Sequence, residues 1–199
     1  CESQTAFRPE LPQLARAVEQ ARQLRLRKFL AKTGRDCTQF LVRKTLKQLT
    51  IIDRQDEKVL NETLEKPDQL IRHEQIIKDG RTCTVARFDL RLGCSVVVKR
   101  YNLKNGLHAL SRAWRPSRAW HSWRSGHMLC HLGIATPRPM ALIEERFGPL
   151  RRRAFLITEF SPGINLLKHL SPDHPPGEAE AQSLLSLFDA LHRMKISHG

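Results

Sequence analysis

The chain of 199 residues contains no window approaching the ~20 consecutive apolar residues of a bilayer-crossing helix, so no segment qualifies as a helical span. Paired cysteines are also missing. The five cysteines, Cys1, Cys37, Cys83, Cys94 and Cys130, are scattered and form no CxxC. That excludes a zinc ribbon, argues against a disulfide scaffold and points to a reducing compartment. No internal repeat or low-complexity tract is visible. The most telling absence is local: from Arg100 through Ile143 there is no acidic residue. What is present suffices for a globular protein, with 40% apolar residues and a formal net charge of +14. At ~150 residues per domain, one large or two small domains fit. The ends, Cys1 and Ser197-His198-Gly199, read as cuts within a longer protein, although a leading Cys also begins a mature lipoprotein.

Apolar spacing predicts a helix over 11–32, basic on its other faces through Arg16, Arg22, Arg25, Arg27, Lys28 and Lys32, and stopped by Gly34. Residues 37–53 suit a hairpin by their β-branched and aromatic content and a helix by their Leu and Lys. Acidic charge then gathers at Asp56, Glu57, Glu62, Glu65 and Asp68, and a domain boundary is expected there. Residues 74–101 read as three antiparallel strands with turns at Asp79-Gly80 and Leu92-Gly93. A helical stretch over 106–131 is expected to break at Pro116. Strands are expected at Met140–Glu145 and Arg153–Phe160, and a helix at 178–195 after Pro175-Pro176-Gly177. Strands that run together with one inserted helix make an α+β layout, not a doubly wound sheet.

Alternation along Val96-Val97-Val98-Lys99-Arg100-Tyr101 puts Val97, Lys99 and Tyr101 on one face. An apolar strand face ending in an amine, roofed by a turn containing Gly80, can hold a flat base and its phosphates. Singly, Asp79-Gly80 also reads as an ordinary hairpin turn and Lys99 as a solvated strand end. The order of the surrounding elements carries more weight. An apolar strand ends in Ile157-Thr158-Glu159-Phe160-Ser161-Pro162-Gly163, and an amphipathic helix then leads to Ile196-Ser197-His198-Gly199.

This order resembles the protein-kinase fold: a nucleotide-covering loop, a third-strand Lys, one helix, two strands, a hinge, a helix opening the second lobe, then the catalytic loop. More narrowly, VVVKRYNLKNGLHALSRAWRPSRAWHSW at 96–123, LGIATPRPMALIEE at 132–145, RAFLITEF at 153–160 and LFDALHRMKISHG at 187–199 resemble the lipopolysaccharide kinases of Gram-negative bacteria. Those enzymes phosphorylate heptose or Kdo sugars of the core. The resemblance covers roughly residues 74–199, and it implies an extension of unassigned role at 1–68, a kinase-like N-lobe at 69–160 and the start of a helical C-lobe at 161–199.

Roles follow from the resemblance position by position. It implies that ATP binds with Ile77 and Val85 roofing the adenine, Val97 packing on it, and Glu159 and Phe160 offering hinge backbone groups to its edge. Gly80 matches the phosphate-loop glycine, and Lys99 the Lys that holds the α- and β-phosphates. The loop lacks its other glycines, and Thr82 and Thr84 stand ready as hydroxyl and amide donors. His198 matches the opening of a His-Gly-Asp catalytic loop. The catalytic Asp and the Mg2+ ligands are expected beyond residue 199, so this stretch by itself should be inactive and marginally stable. Family members pair the strand Lys with a Glu on the next helix, and no acid is available there.

Within the acid-free stretch lie Arg100, Lys104, Arg112, Arg115, Arg118, Arg124 and Arg138, with Trp114, Trp120 and Trp123 interleaved and Arg151-Arg152-Arg153 following. Each Trp singly reads best as core. So many cations without an anion imply a polyanionic partner. One reading is a sugar kinase acting on anionic glycolipid, cytoplasmic and held peripherally at the inner membrane by salt-sensitive attraction worth about 1 kcal/mol per cation, with any exposed Trp as an added anchor. The other is a non-enzymatic module that binds nucleic acid or anionic membrane, or a pseudokinase scaffold. The order of motifs favours the kinase, and no nucleic-acid recognition motif is found.

Overall fold

The computed structural model describes residues 11–61, 64, 67–71, 75–90, 93–102, 115–147, 150–170 and 175–196. Seven strands form one antiparallel sheet: β1 (Phe40–Lys44), β2 (Gln48–Asp53), β3 (Ile76–Gly80), β4 (Cys83–Asp89), β5 (Ser95–Tyr101), β6 (Pro139–Phe147) and β7 (Leu150–Glu159). Their order across the sheet is β1-β2-β6-β7-β5-β4-β3. The helical segments are α1 (Leu11–Lys32), α2 (Glu57–Leu60), α3 (Arg118–His131), α4 (Leu166–His169) and α5 (Glu178–Arg193). The protein is therefore α+β, and among the described residues no helix is long and apolar enough to cross a membrane.

Residues 37–53 resolve to the hairpin β1–β2. Its turn is closed by Thr45, whose N–H donates to the Gln48 carbonyl at 2.8 Å while its Oγ1 accepts from the Gln48 N–H at 3.0 Å. β2 pairs with β6 from Gln48↔Glu145 to Ile52↔Ala141, so the sheet runs across the boundary expected near residue 68. The β3–β4 turn also differs from expectation. Asp79 and Gly80 are the last residues of β3, Gly80 pairs with Cys83, and Arg81-Thr82 make the turn. At the β4–β5 turn Gly93 has φ of 76°, a left-handed conformation that favours glycine.

Both faces of the sheet are covered. On one, Val96, Val98, Phe155 and Ile157 pack with Ile52 of β2 and with Leu60 and Leu64 of the following segment. On the other, Phe40, Ile51, Leu142 and Leu156 receive Ala119 and Trp123 of α3. Alternate residues of β5 thus go to opposite sides. α3 begins after Pro116 because the Ser117 hydroxyl accepts the Trp120 N–H at 3.1 Å and caps the helix. The part of the expected 106–131 helix before residue 115 lies outside the described residues. α3 lies close on β6, since a side chain at Gly126 would meet Pro139 Cγ at 2.5 Å. α1 buries none of its residues and meets α3 through Phe29, which stacks on His131 at 4.2 Å.

Within that interface His127 is 3% exposed, ringed by Trp123 at 4.2 Å and Phe40 at 5.0 Å, and its Nε2 has no partner among the described residues. Burial, with a smaller contribution from the Arg138 charge, pushes the imidazole down to about 4. Unfolded, it titrates at its ordinary value of 6.5. Between these values the unfolded chain binds the extra proton, so stability is full above pH ~6.5 and falls as pH drops toward ~4. The loss from this group is on the order of 3 kcal/mol. Melting temperature followed from pH 7 to pH 4 should fall less steeply in His127→Leu than in wild type. Parallel profiles would mean that another group dominates.

Candidate functional site

The candidate site is built on the β4–β5 pair. Val85 lies opposite Lys99, and Arg87 opposite Val97. Across β5, Val97 faces Thr158 and Lys99 faces Leu156 of β7. Val85, Val97 and Lys99 therefore share the α3 side of the sheet, while Val96 and Val98 fill the opposite core. Two residues of strand separate Val97 from Lys99 by about 7 Å, the scale of a base-to-phosphate spacing.

One end of this strip is the segment after β7. Glu159 N–H donates to the Arg138 carbonyl at 3.0 Å, and Phe160 N–H donates to the Ser95 carbonyl at 3.1 Å. The two amide donors of the expected hinge are thus already committed, and a base edge here would have to use carbonyls or the next amide, that of Ser161. The Phe160 ring lies beneath the Arg87 guanidinium, 4.4 Å from its centroid.

The other end is the β3–β4 turn. Asn102 holds it through its N–H to the Thr82 carbonyl at 3.1 Å and its side-chain amide to the Gly80 carbonyl at 3.4 Å. A side chain at Gly80 would approach the Cys83 carbonyl at 3.2 Å, so the tight turn itself favours glycine. The Thr84 hydroxyl is not available to a phosphate. It donates to Asp79 at 2.9 Å and accepts from Arg100 at 3.3 Å, on the face opposite Lys99. Ile77 sits at an irregularity of the β3–β4 register and is 60% exposed, which leaves Lys78 directly opposite Val85. His198 lies outside the described residues.

The turn end carries the Asp79 carboxylate on the face opposite Lys99 and cations on the side of Lys99. Burial pushes the Cys83 thiol up, and the charges of Lys99, Lys78 and Arg118 all act on it in the opposite sense. Among the described residues no carboxylate pairs with Lys99. The helix α3 brings a neutral group to this face instead: Ser122 Oγ meets the Tyr101 hydroxyl at 2.9 Å. Burial raises the Tyr101 phenol, which keeps it protonated. Lys78 and Lys99, which flank Val85 in the register of β3, β4 and β5, suit phosphate oxygens. They do not fit a metal, and among the described residues no group of His, Cys, Asp and Glu can hold a metal ion.

Lys78 and Arg87 were not assigned to the site from the sequence, and Arg118 was read there only as one cation of the basic stretch. The signal for Arg87 was its place two residues after Val85 on an alternating strand. Lys78 could not be found this way, because the shift in register reverses the parity of β3.

The basic stretch is partly neutralised within the chain. Arg100 meets Asp68 at 3.3 Å, and Arg153 meets Asp68 at 2.8 Å and Glu145 at 2.9 Å. Arg138 is held by Asp56 at 2.6 Å, and hydrogen bonding to that carboxylate raises its guanidinium further, keeping it charged. The acidic segment around 53–68 therefore supplies the anions that 100–143 lacks. Arg115, Arg118, Arg124 and Arg152 remain exposed and without an ion pair among the described residues. Trp123 is fully buried and Trp120 half-buried against Gly34, so Trp123 offers nothing to a membrane. α5 leaves Leu185, Leu187 and Phe188 exposed. Comparison of the chain with protein-family models, curated proteins and solved structures finds no match.

Proposed function

We propose that the chain is the nucleotide-holding part of an ATP-dependent phosphotransferase whose acceptor is a heptose or Kdo sugar of a lipopolysaccharide core. One observation carries the reading. Val85, Val97 and Lys99 share one strand face between the segment at Glu159–Phe160 and the tight β3–β4 turn, with Lys78 across Val85 from Lys99 and no carboxylate paired to Lys99 among the described residues. Val85 and Val97 offer apolar contact to a base, and Lys78 and Lys99, which flank Val85, suit its phosphates. The sequence motifs at 96–123, 132–145, 153–160 and 187–199 supply the sugar-kinase part of the proposal. In this reading Lys99 binds and orients the phosphates, Val85 and Val97 pack on the base and exclude water from it, and the turn at Gly80–Cys83 closes the phosphate end. Magnesium, which the resemblance implies, has no ligand group among the described residues, and no role here is assigned through it.

Exposed Arg115, Arg118, Arg124 and Arg152 support peripheral attachment to an anionic, inner-membrane surface from the cytoplasmic side, where the glycolipid acceptor would be met. A pseudokinase that binds nucleotide without turnover is the second reading, favoured by the lack of any carboxylate paired with Lys99 among the described residues, where α3 brings the neutral Ser122 to Tyr101 on the same face.

The test is ligand-induced stabilisation of the full chain. A non-hydrolysable ATP analogue at ~100 times its dissociation constant adds about 2.7 kcal/mol. For a protein of this size that raises the melting temperature by roughly 5–10 °C. No shift with the analogue, or an equal shift with single-stranded RNA at matched salt, would sink the nucleotide reading. Binding without phosphate transfer to a core oligosaccharide, in a form that carries the catalytic loop expected beyond residue 199, would select the pseudokinase.

A further inference from the structure

Arg138 gathers carboxylates from separate parts of the chain. Its Nη1 and Nη2 donate to Asp56 Oδ2 and Oδ1 at 2.6 and 2.9 Å, a two-pronged fork. Its Nε donates to Glu159 Oε1 at 2.8 Å, and Asp53 Oδ2 lies 3.8 Å from Nη1. Asp53 ends β2, Asp56 lies in the 3-10 turn that follows, and Glu159 ends β7. The main chain repeats the link, because the Arg138 carbonyl accepts the Glu159 N–H. Asp56 is 6% exposed, so its charge requires the partner it has. On the other flank, Arg87 lies over Phe160 and donates to Ser95 Oγ at 2.9 Å, while the Ser95 carbonyl holds the Phe160 N–H. Glu159 and Phe160 are thus gripped from both neighbouring strands.

We infer that Arg138, oriented by Asp56, is a positioning residue for the base end of the nucleotide site. It fixes Glu159 so that the backbone at 159–161 meets a nucleobase edge, and it makes the segment 53–56 part of the nucleotide-holding unit. The inference rests on the nucleotide reading above. A planar fork sets direction as well as charge, which a lysine ammonium cannot do. The chain before residue 68 thereby acquires a role: it supplies the anchor of the clamp.

The experiment compares wild type, Asp56→Asn and Arg138→Lys in the full chain, titrated with a non-hydrolysable ATP analogue and, separately, with inorganic triphosphate. The triphosphate reads the Lys99 end alone. We expect each variant to bind the ATP analogue ~10-fold more weakly, equivalent to about 1.4 kcal/mol. Triphosphate affinity should change less than ~2-fold, on the ground that the clamp lies at the opposite end of the strip from the cations. Unchanged affinity for the analogue overturns the clamp, and so does equal weakening of both ligands, which marks a general loss of structure. If either variant fails to fold, Glu159→Gln decides: its side chain is 47% exposed, so the fold does not depend on it, and it should weaken the analogue selectively. Wild-type protein that binds neither ligand overturns the nucleotide reading and the clamp with it. Wild-type binding with unaffected variants overturns the clamp alone.

Discussion

Replacing Lys99 by alanine is expected to lower phosphoryl transfer by the proposed phosphotransferase, assayed with the catalytic loop expected beyond residue 199 in place, at least ~100-fold, the scale on which a single preorganised charge donor contributes to transition-state stabilisation. Lys99 is half-buried, and among the described residues it makes no ion pair, so the fold does not lean on its charge. Truncating such a strand position costs about 1 kcal/mol or less. Phosphate oxygens gain negative charge as the γ-phosphoryl group departs, and the loss should therefore fall on kcat more than on the melting temperature. Lys78, across Val85 from Lys99, stays in place but does not occupy the position of the missing amine. Lys99→Arg tests geometry against charge, because a forked guanidinium is longer and planar. Full activity in Lys99→Ala would remove this lysine, and the strip built around it, from the mechanism.

Trp123→Ala should be the most damaging single change to the fold. The Trp123 side chain is fully buried against the sheet, edge-on to Phe40 at 5.8 Å and to His127 at 4.2 Å. Its Nε1–H donates to the Thr33 carbonyl at 2.9 Å, tying the exit of α1 to α3. Removing so large a buried ring costs about 3–5 kcal/mol, against a typical total stability of about 5–15 kcal/mol. The melting temperature should fall by roughly 6–20 °C. Trp123→Phe separates the two contributions. It keeps most of the packing and leaves the Thr33 carbonyl without its donor, for about 1–3 kcal/mol. Chemical denaturation of both variants gives the comparison. A loss below ~1 kcal/mol in Trp123→Ala would mean that α3 does not sit where described.

Much of the sheet was legible in the residues because strand alternation is a local property. Val96 and Val98 against Val97 and Lys99 set the two faces of β5 before any partner strand was known, and the structure sends them to opposite sides. The helices Leu11–Lys32 and Glu178–Arg193, and the strands at 139–159, follow the apolar spacing and the turn residues that bound them. The core placement of Trp123 was equally readable, as the common fate of a large ring among basic surface residues.

The tertiary structure decided what depends on neighbours distant in the chain. Nothing in residues 37–53 says that their hairpin will extend the sheet beside β6, because an unpaired strand edge carries no address for its partner. The acid-free stretch 100–143 reads as a bare basic surface until Asp53 and Asp56 are folded against Arg138 and Asp68 against Arg100. The irregularity between Ile76 and Lys78 leaves no trace in composition, yet it turns Lys78 toward Val85 and leaves Ile77 exposed. Amino-acid pattern thus determined the strands at β3–β7, the helices Leu11–Lys32 and Glu178–Arg193 and the face that Lys99 shares with Val97, while 37–53 stayed open between hairpin and helix. Register and charge partners were set by packing, because one inserted residue reverses a strand's parity and an ion pair forms only where the fold brings both charges within reach.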